Sequence, residues 1–175
     1  MSDLLTRSAA RISSCGQFRY SLHRDWRDEY ERPRWVTFVM LNPSTADADQ
    51  DDPTIRRCIG YARALGGTGL AVVNLYAFRA TSPADLWRAK DPVGPDNDET
   101  LAMFLDMARR YDHPVIAAWG ANARLDRVEQ ALALPGADRL TALGTTKAGA
   151  PKHPLARGLH QIPDDARPVP WKAAS

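Results

Sequence analysis

Cysteine is scarce. Cys15 and Cys58 are the only two in 175 residues and form no CxxC pair, which argues against a disulfide scaffold or a zinc site. The four histidines are scattered and supply no second ligand cluster, so no metal is expected. No apolar run approaches the roughly 20 residues that span a bilayer, and the opening MSDLLTRSAARISSCG lacks the apolar core of a signal peptide. A cytoplasmic protein without a membrane partner is the expectation. Neither sign of charge dominates: 23 Lys and Arg face 21 Asp and Glu, so bulk charge neither demands nor excludes a polyanion and local placement must decide. The GxxxxGK[ST] pattern of phosphate-binding loops is absent, which argues against an ATPase. No internal repeat is found.

What is present is ordinary globular composition, 44% hydrophobic and 25% charged, in a chain whose length suits one domain. Residues 1–175 are read as that domain, with a core over about 17–160; the N-terminal segment and the Pro-rich tail IPDDARPVPWKAAS are expected to be peripheral. Apolar, β-rich runs occupy 35–41 (WVTFVML), 70–75 (LAVVNL), 115–119 (VIAAW) and, more weakly, 139–143 (RLTAL). Between them lie helical patterns. Asp52 reads as an N-cap with Pro53 at the first helical position, followed by Ile55, Cys58, Ile59, Ala62 and Leu65 on one face and a Gly66-Gly67 stop. Further helices are expected from Pro83 to before Asp91, over 96–110 and over 122–134. The stretch 17–26 alternates like an edge strand or hairpin. Strands alternating with helices predict an α/β fold: a three-layer α/β/α sandwich around a mainly parallel four-stranded sheet.

Ligands of parallel sheets bind beyond the carboxyl ends of the strands. That rule gathers Asn42-Pro43, then Asn74 and Tyr76, then Trp119 to Asn122, and finally the loop GTTKAGAPKHPL from Gly144. Each has a plain reading on its own. Asn-Pro makes turns, a buried Asn can bond loop backbone, a His beside prolines is commonly a surface residue, and Trp119 reads as support for a pocket wall. Asp47, Asp49, Asp51 and Asp52 do not match a calcium-binding loop, and a solvated loop with one helix cap accounts for most of them. One of these acids could orient a water near Asn42. The loop from Gly144 to Lys152 suits backbone N–H groups and lysines approaching a phosphate.

Taken in order, MLNPS, AVVNLYAF, AAWGANA and KHPL resemble four landmarks of the uracil-DNA glycosylase superfamily across residues 35–155. The whole chain also resembles a bacterial and phage family designated only as a domain of unknown function, through LNPSTAD, DDPTIRRC, NLYAFRAT and PKHPL. The first resemblance implies a glycosylase-like fold in which Asn42 positions the hydrolytic water, Asn74 reads the edge of a flipped base and His153 donates to a base oxygen. Tyr76, Ser44 and Asp47 are expected to complete the base pocket. Lys147, Lys152, Thr145 and Thr146 would hold flanking phosphates, and Leu155 or Arg157 would wedge into the vacated stack. Such hydrolysis implies no cofactor, DNA as partner, and a monomer.

The chain departs from uracil-specific relatives in two places. Ser44-Thr45-Ala46 follows the first loop, and Leu155-Ala156 follows His153-Pro154 where Ser-Pro is usual. The expected substrate is therefore a modified base, such as a hydroxymethylated or glucosylated pyrimidine of phage DNA, which suits a defence or base-excision role. The alternatives are a hydrolase or transferase of free nucleotides or nucleosides, and a non-catalytic protein that binds modified DNA.

Overall fold

A computed structural model describes residues 7–44 and 51–171. In chain order the elements are β1 (Arg7–Ile12), β2 (Arg19–Asp25), β3 (Trp35–Met40), α1 (Pro53–Ala64), β4 (Gly69–Asn74), α2 (Pro83–Arg88), α3 (Asn97–Tyr111), β5 (Val115–Ala117), α4 (Leu125–Leu132), β6 (Leu140–Ala142) and β7 (Val169–Pro170). They form a mixed α/β fold on one seven-stranded sheet of order β1-β2-β4-β3-β5-β6-β7.

The four-stranded, mainly parallel sheet expected above is corrected to this larger mixed one. β4, β3, β5 and β6 pair in parallel, while β1, β2 and β7 are added through antiparallel pairings at the two sides. The stretch expected as an edge strand or hairpin is β2, which pairs antiparallel with the preceding β1 and is bonded on its other side to β4, so it is interior and not at the edge. The edge itself is β1, which carries no apolar alternation because nearly all of its side chains are exposed. The tail is not peripheral either: Ile162 and Trp171 are buried core residues, and Val169–Pro170 closes the far edge of the sheet.

Side chains alternate across β3 and β4 and divide the core into two layers. Val36, Phe38, Met40, Leu70 and Val72 face α1, where they meet Ile55, Cys58, Tyr61, Ala62 and the tail residue Ile162. Val39, Ala71 and Val73 face the other way, onto Leu86 of α2, Leu101, Phe104 and Leu105 of α3, and Val128 and Ala131 of α4. Deleting a fully buried ring such as Phe38 from such a core costs about 3–5 kcal/mol.

α1 starts and stops for local reasons. The Asp52 carboxylate accepts from the Ile55 N–H at 2.8 Å, and Pro53 fills the first turn where no N–H is needed. Gly66 ends the helix at φ +72°, and a Cβ on Gly67 would lie 2.7 Å from Val36 Cγ2 and 2.8 Å from the Ala62 carbonyl oxygen. The two glycines thus do different work: one supplies the left-handed turn, the other lets the chain pass close to β3.

Candidate functional site

Beyond the carboxyl ends of β3, β4 and β5 lies a cavity of about 340 Å³. The connection from β3 runs over one face of the sheet through α1 to β4, and the chain then crosses the other face to reach β5 on β3's far side. Such a reversal leaves a crevice beside the central strand, where α/β folds bind their ligands.

Three side chains expected to meet do line this cavity: Asn42, Asn74 and His153, joined by Ser44. Met40 and Val72 supply apolar floor, while Trp119 and Gly120 form part of the wall. Trp119 is buried and packs edge-on against Trp171 at 5.0 Å between ring centroids, so it serves as the expected support. The Gly120 N–H donates to the Pro151 carbonyl at 3.0 Å, which ties this wall to the loop carrying His153.

Asn74 is 1% exposed, and among the described residues neither its side-chain oxygen nor its nitrogen has a hydrogen-bond partner. Asn97 provides the contrast. Equally buried, it donates to the carbonyls of Asn74 and Leu75, both at 3.0 Å. Asn97 is a structural clamp on the end of β4. The Asn74 amide is left with a donor and an acceptor side by side, an arrangement costing about 1–3 kcal/mol per unmatched group until a ligand satisfies it.

The other groups have defined polarity. The Asn42 amide nitrogen donates to the carbonyls of Pro43 and Ala80, at 3.0 and 2.9 Å; two acceptors on that side assign it the nitrogen and leave Oδ1 as the acceptor. His153 Nδ1 accepts from the Leu155 N–H at 3.1 Å, which places the proton of the neutral ring on Nε2. Burial holds this imidazole below its usual value, with Asp52 pulling the other way. His153 is thus a neutral N–H donor.

Two charged residues of the cavity were not among the expected site residues. Arg19 opens β2 at 3% exposure; burial first, then Arg79, lowers it to about 10 against an opposing pull from Asp52. Asp52, read as a helix cap and as one of four acids that could orient a water near Asn42, also lines the cavity, and its Oδ2 accepts from the Ser44 hydroxyl at 2.9 Å. The signal for Asp52 was its position immediately N-terminal to α1, facing the same strand ends. Arg19 gave none, because the stretch carrying it was read as an edge strand or hairpin with no place assigned beside β4.

Other expected site residues lie elsewhere. Tyr76 does not line the cavity: the consecutive N–H groups of Leu75 and Tyr76 both donate to β3's end, at Met40 and Leu41, which breaks the alternation and turns Tyr76 into the opposite core against Trp87. Asp47 lies outside the described residues. Thr145 and Thr146 belong to a tight hairpin in which Thr145 bridges Pro151 and Thr146 Oγ1 accepts from the Ala150 N–H. Lys147 is exposed in that hairpin, and Lys152 lies along Gly144. None of these four reaches the cavity. Leu155 and Arg157 border a neighbouring hollow of about 370 Å³ with Pro53 and Arg57. Leu155 is half-buried, whereas Leu159, two residues past Arg157, is fully exposed.

Fold and site together define a mixed α/β protein with a polar cavity at the strand ends. Residues 19–155 match the model of a family described as protein of unknown function (DUF1643), and the chain belongs to that family. No curated protein matches it. Among solved structures it is similar to L-tryptophan dehydrogenase from Nostoc punctiforme, at 12% identity and a TM-score of 0.31, over 78% of this chain and 36% of that one. The chain therefore spans about a third of that enzyme's length.

Proposed function

We propose that the chain is a DNA glycosylase that hydrolyses the N-glycosidic bond of a base swung out of the helix, leaving an abasic site. The observation that carries this reading is the buried, unmatched Asn74 amide in the same cavity as Asn42 and His153. An adjacent donor and acceptor complement the edge of a nucleobase, and a site built to pair such an edge rejects molecules lacking it. Breaking the bond puts negative charge on the departing base, and a neutral Nε2–H aimed at a base oxygen stabilises that charge more in the transition state than in the ground state. The four landmarks resembling uracil-DNA glycosylases support the same assignment.

The substrate on this reading is a modified pyrimidine. Arg19, Ser44 and Asp52 give the cavity more polar groups than an unadorned base uses, which suits hydroxylated or glycosylated substituents. Exposed Lys147 and exposed Arg157 would meet the phosphates, and fully exposed Leu159 is better placed than half-buried Leu155 to enter a vacated stack.

The test is a panel of duplex oligonucleotides and phage genomes carrying different modified bases, incubated with the protein and then treated with alkali to break abasic sites. Breakage of modified but not of unmodified DNA is expected. Breakage confined to uracil DNA removes the modified-base assignment. If free nucleosides are hydrolysed while DNA binding shows no steep loss with salt, the nucleoside hydrolase is the correct reading.

A further inference from the structure

We propose that the Asp52 carboxylate is the group that orients the attacking water and faces the positive charge developing on the sugar, with Asn42 assisting as a fixed acceptor. This rests on the glycosylase reading above and names a residue for it. Three observations lead there. Asp52 lines the cavity that contains the unmatched, 1% exposed Asn74 amide, together with Asn42 and His153. Its two oxygens accept from the Ile55 N–H at 2.8 Å and the Ser44 hydroxyl at 2.9 Å; these bonds fix the carboxylate and leave each oxygen with acceptor capacity. Asn42, by contrast, is a neutral amide whose nitrogen is bound to two carbonyls. It can align a water but can take no proton and offers no charge.

The step balances without any cofactor. The C1′–N bond breaks with its electron pair leaving on the base, where the Nε2–H of His153 hydrogen-bonds the oxygen that gathers charge, and the base ends by taking a proton from solvent. Water oxygen bonds to C1′, and its proton passes to Asp52 and then to solvent. A negative carboxylate beside the sugar stabilises the cationic stage most, because that charge is absent in the bound substrate. The neighbouring Arg19 gives the carboxylate an opposite charge within the same wall.

The test needs no knowledge of the base. Two otherwise identical DNA duplexes carry at one position either a pyrrolidine abasic analogue, which is cationic, or a tetrahydrofuran abasic analogue, which is neutral, and their dissociation constants are compared. Wild-type protein is expected to bind the cationic duplex at least tenfold more tightly. Asp52→Asn, which retains a good helix cap, is expected to lose that preference while binding the neutral duplex normally, and Asn42→Ala to keep it. Should Asp52→Asn fold poorly, Asp52→Ser is the substitute, since serine also caps. Equal binding of the two duplexes by wild type, or an unchanged preference in the Asp52 variant, overturns the role of Asp52 and leaves the glycosylase reading standing. Failure of wild type to bind either duplex overturns both.

Discussion

One face of the sheet and the carboxyl ends of its strands each carry a hollow, and the larger of the two is the less informative. Beneath α3, Trp35, Phe104, Met103, Met107 and His23 line a cavity of about 450 Å³ with mostly apolar walls. At the strand ends, the smaller cavity of about 340 Å³ gathers an arginine, an aspartate, three asparagines and a histidine. Arg7, His23, Asp25, Thr37 and His113 also line the larger hollow among its mostly apolar walls, whereas the smaller one holds the buried, unmatched donor and acceptor of Asn74, the kind of group that fixes a ligand's orientation. What separates the two is polar chemistry that the protein leaves unfinished.

The difference can be broken most forcefully at His153. Its replacement by alanine is expected to lower the rate of base excision by about 10²–10³-fold, the usual loss when one donor to developing negative charge is removed. The melting temperature should stay close to wild type, so a large loss of stability with unchanged turnover would assign the residue to the scaffold.

A second measurement sets the two buried asparagines against each other. Asn97→Ala removes two buried hydrogen bonds to the strand-end carbonyls, of which Leu75's keeps the Arg127 Nε donor at 2.7 Å, and is expected to cost about 1–3 kcal/mol in chemical denaturation. Asn74→Leu removes an unmatched amide and should stabilise the ligand-free protein while abolishing excision. Equal destabilisation by both would make Asn74 a structural residue.

The two cavities also differ in how they hold histidine. His23, edge-on to Trp35 and tilted against Phe104, is lowered by burial and further by Arg24; His153 is lowered by burial but raised by Asp52. Both stay neutral in the fold while the unfolded chain protonates near 6.5, so stability is present above that pH and is lost as pH falls below it. Each histidine can contribute up to about 1.4 kcal/mol per pH unit until the folded form also protonates. His23→Phe should flatten the fall between pH 6.5 and 5 more than His153→Ala does, as read from melting curves across that range. The smallest effect is expected in the mostly apolar hollow: Met103→Ala with Met107→Ala should leave excision within about twofold of wild type, since both side chains are exposed and neither lines the strand-end cavity.

Much of this organisation was legible in the residues, and the failures have physical causes. Runs apolar throughout announced β3 and β4 because both faces of those strands are buried. The cap at Asp52-Pro53 and the Gly66-Gly67 stop placed α1 within a residue. β1 stayed hidden because an exposed edge needs no apolar face, and β7 because two residues ending in proline carry no strand pattern. At the site, Asn42, Asn74 and His153 converge because strand order brings the ends of β3 and β4 and the loop after β6 together. Tyr76 was misplaced because the strand-end rule gathers residues by chain position, and the backbone beyond Asn74 turns this side chain into the opposite core. Arg19 comes from an antiparallel strand added beside β4, a pairing that local sequence does not encode.

The most direct test is mass spectrometry of the small molecules released from phage DNA rich in glucosylated hydroxymethylcytosine after incubation with wild-type protein or with Asn74→Ala. The glycosylase account predicts free modified base in the first reaction, in step with new abasic sites, and none above background in the second. Intact DNA and no released base with wild type, across this and the other modified genomes, would contradict it.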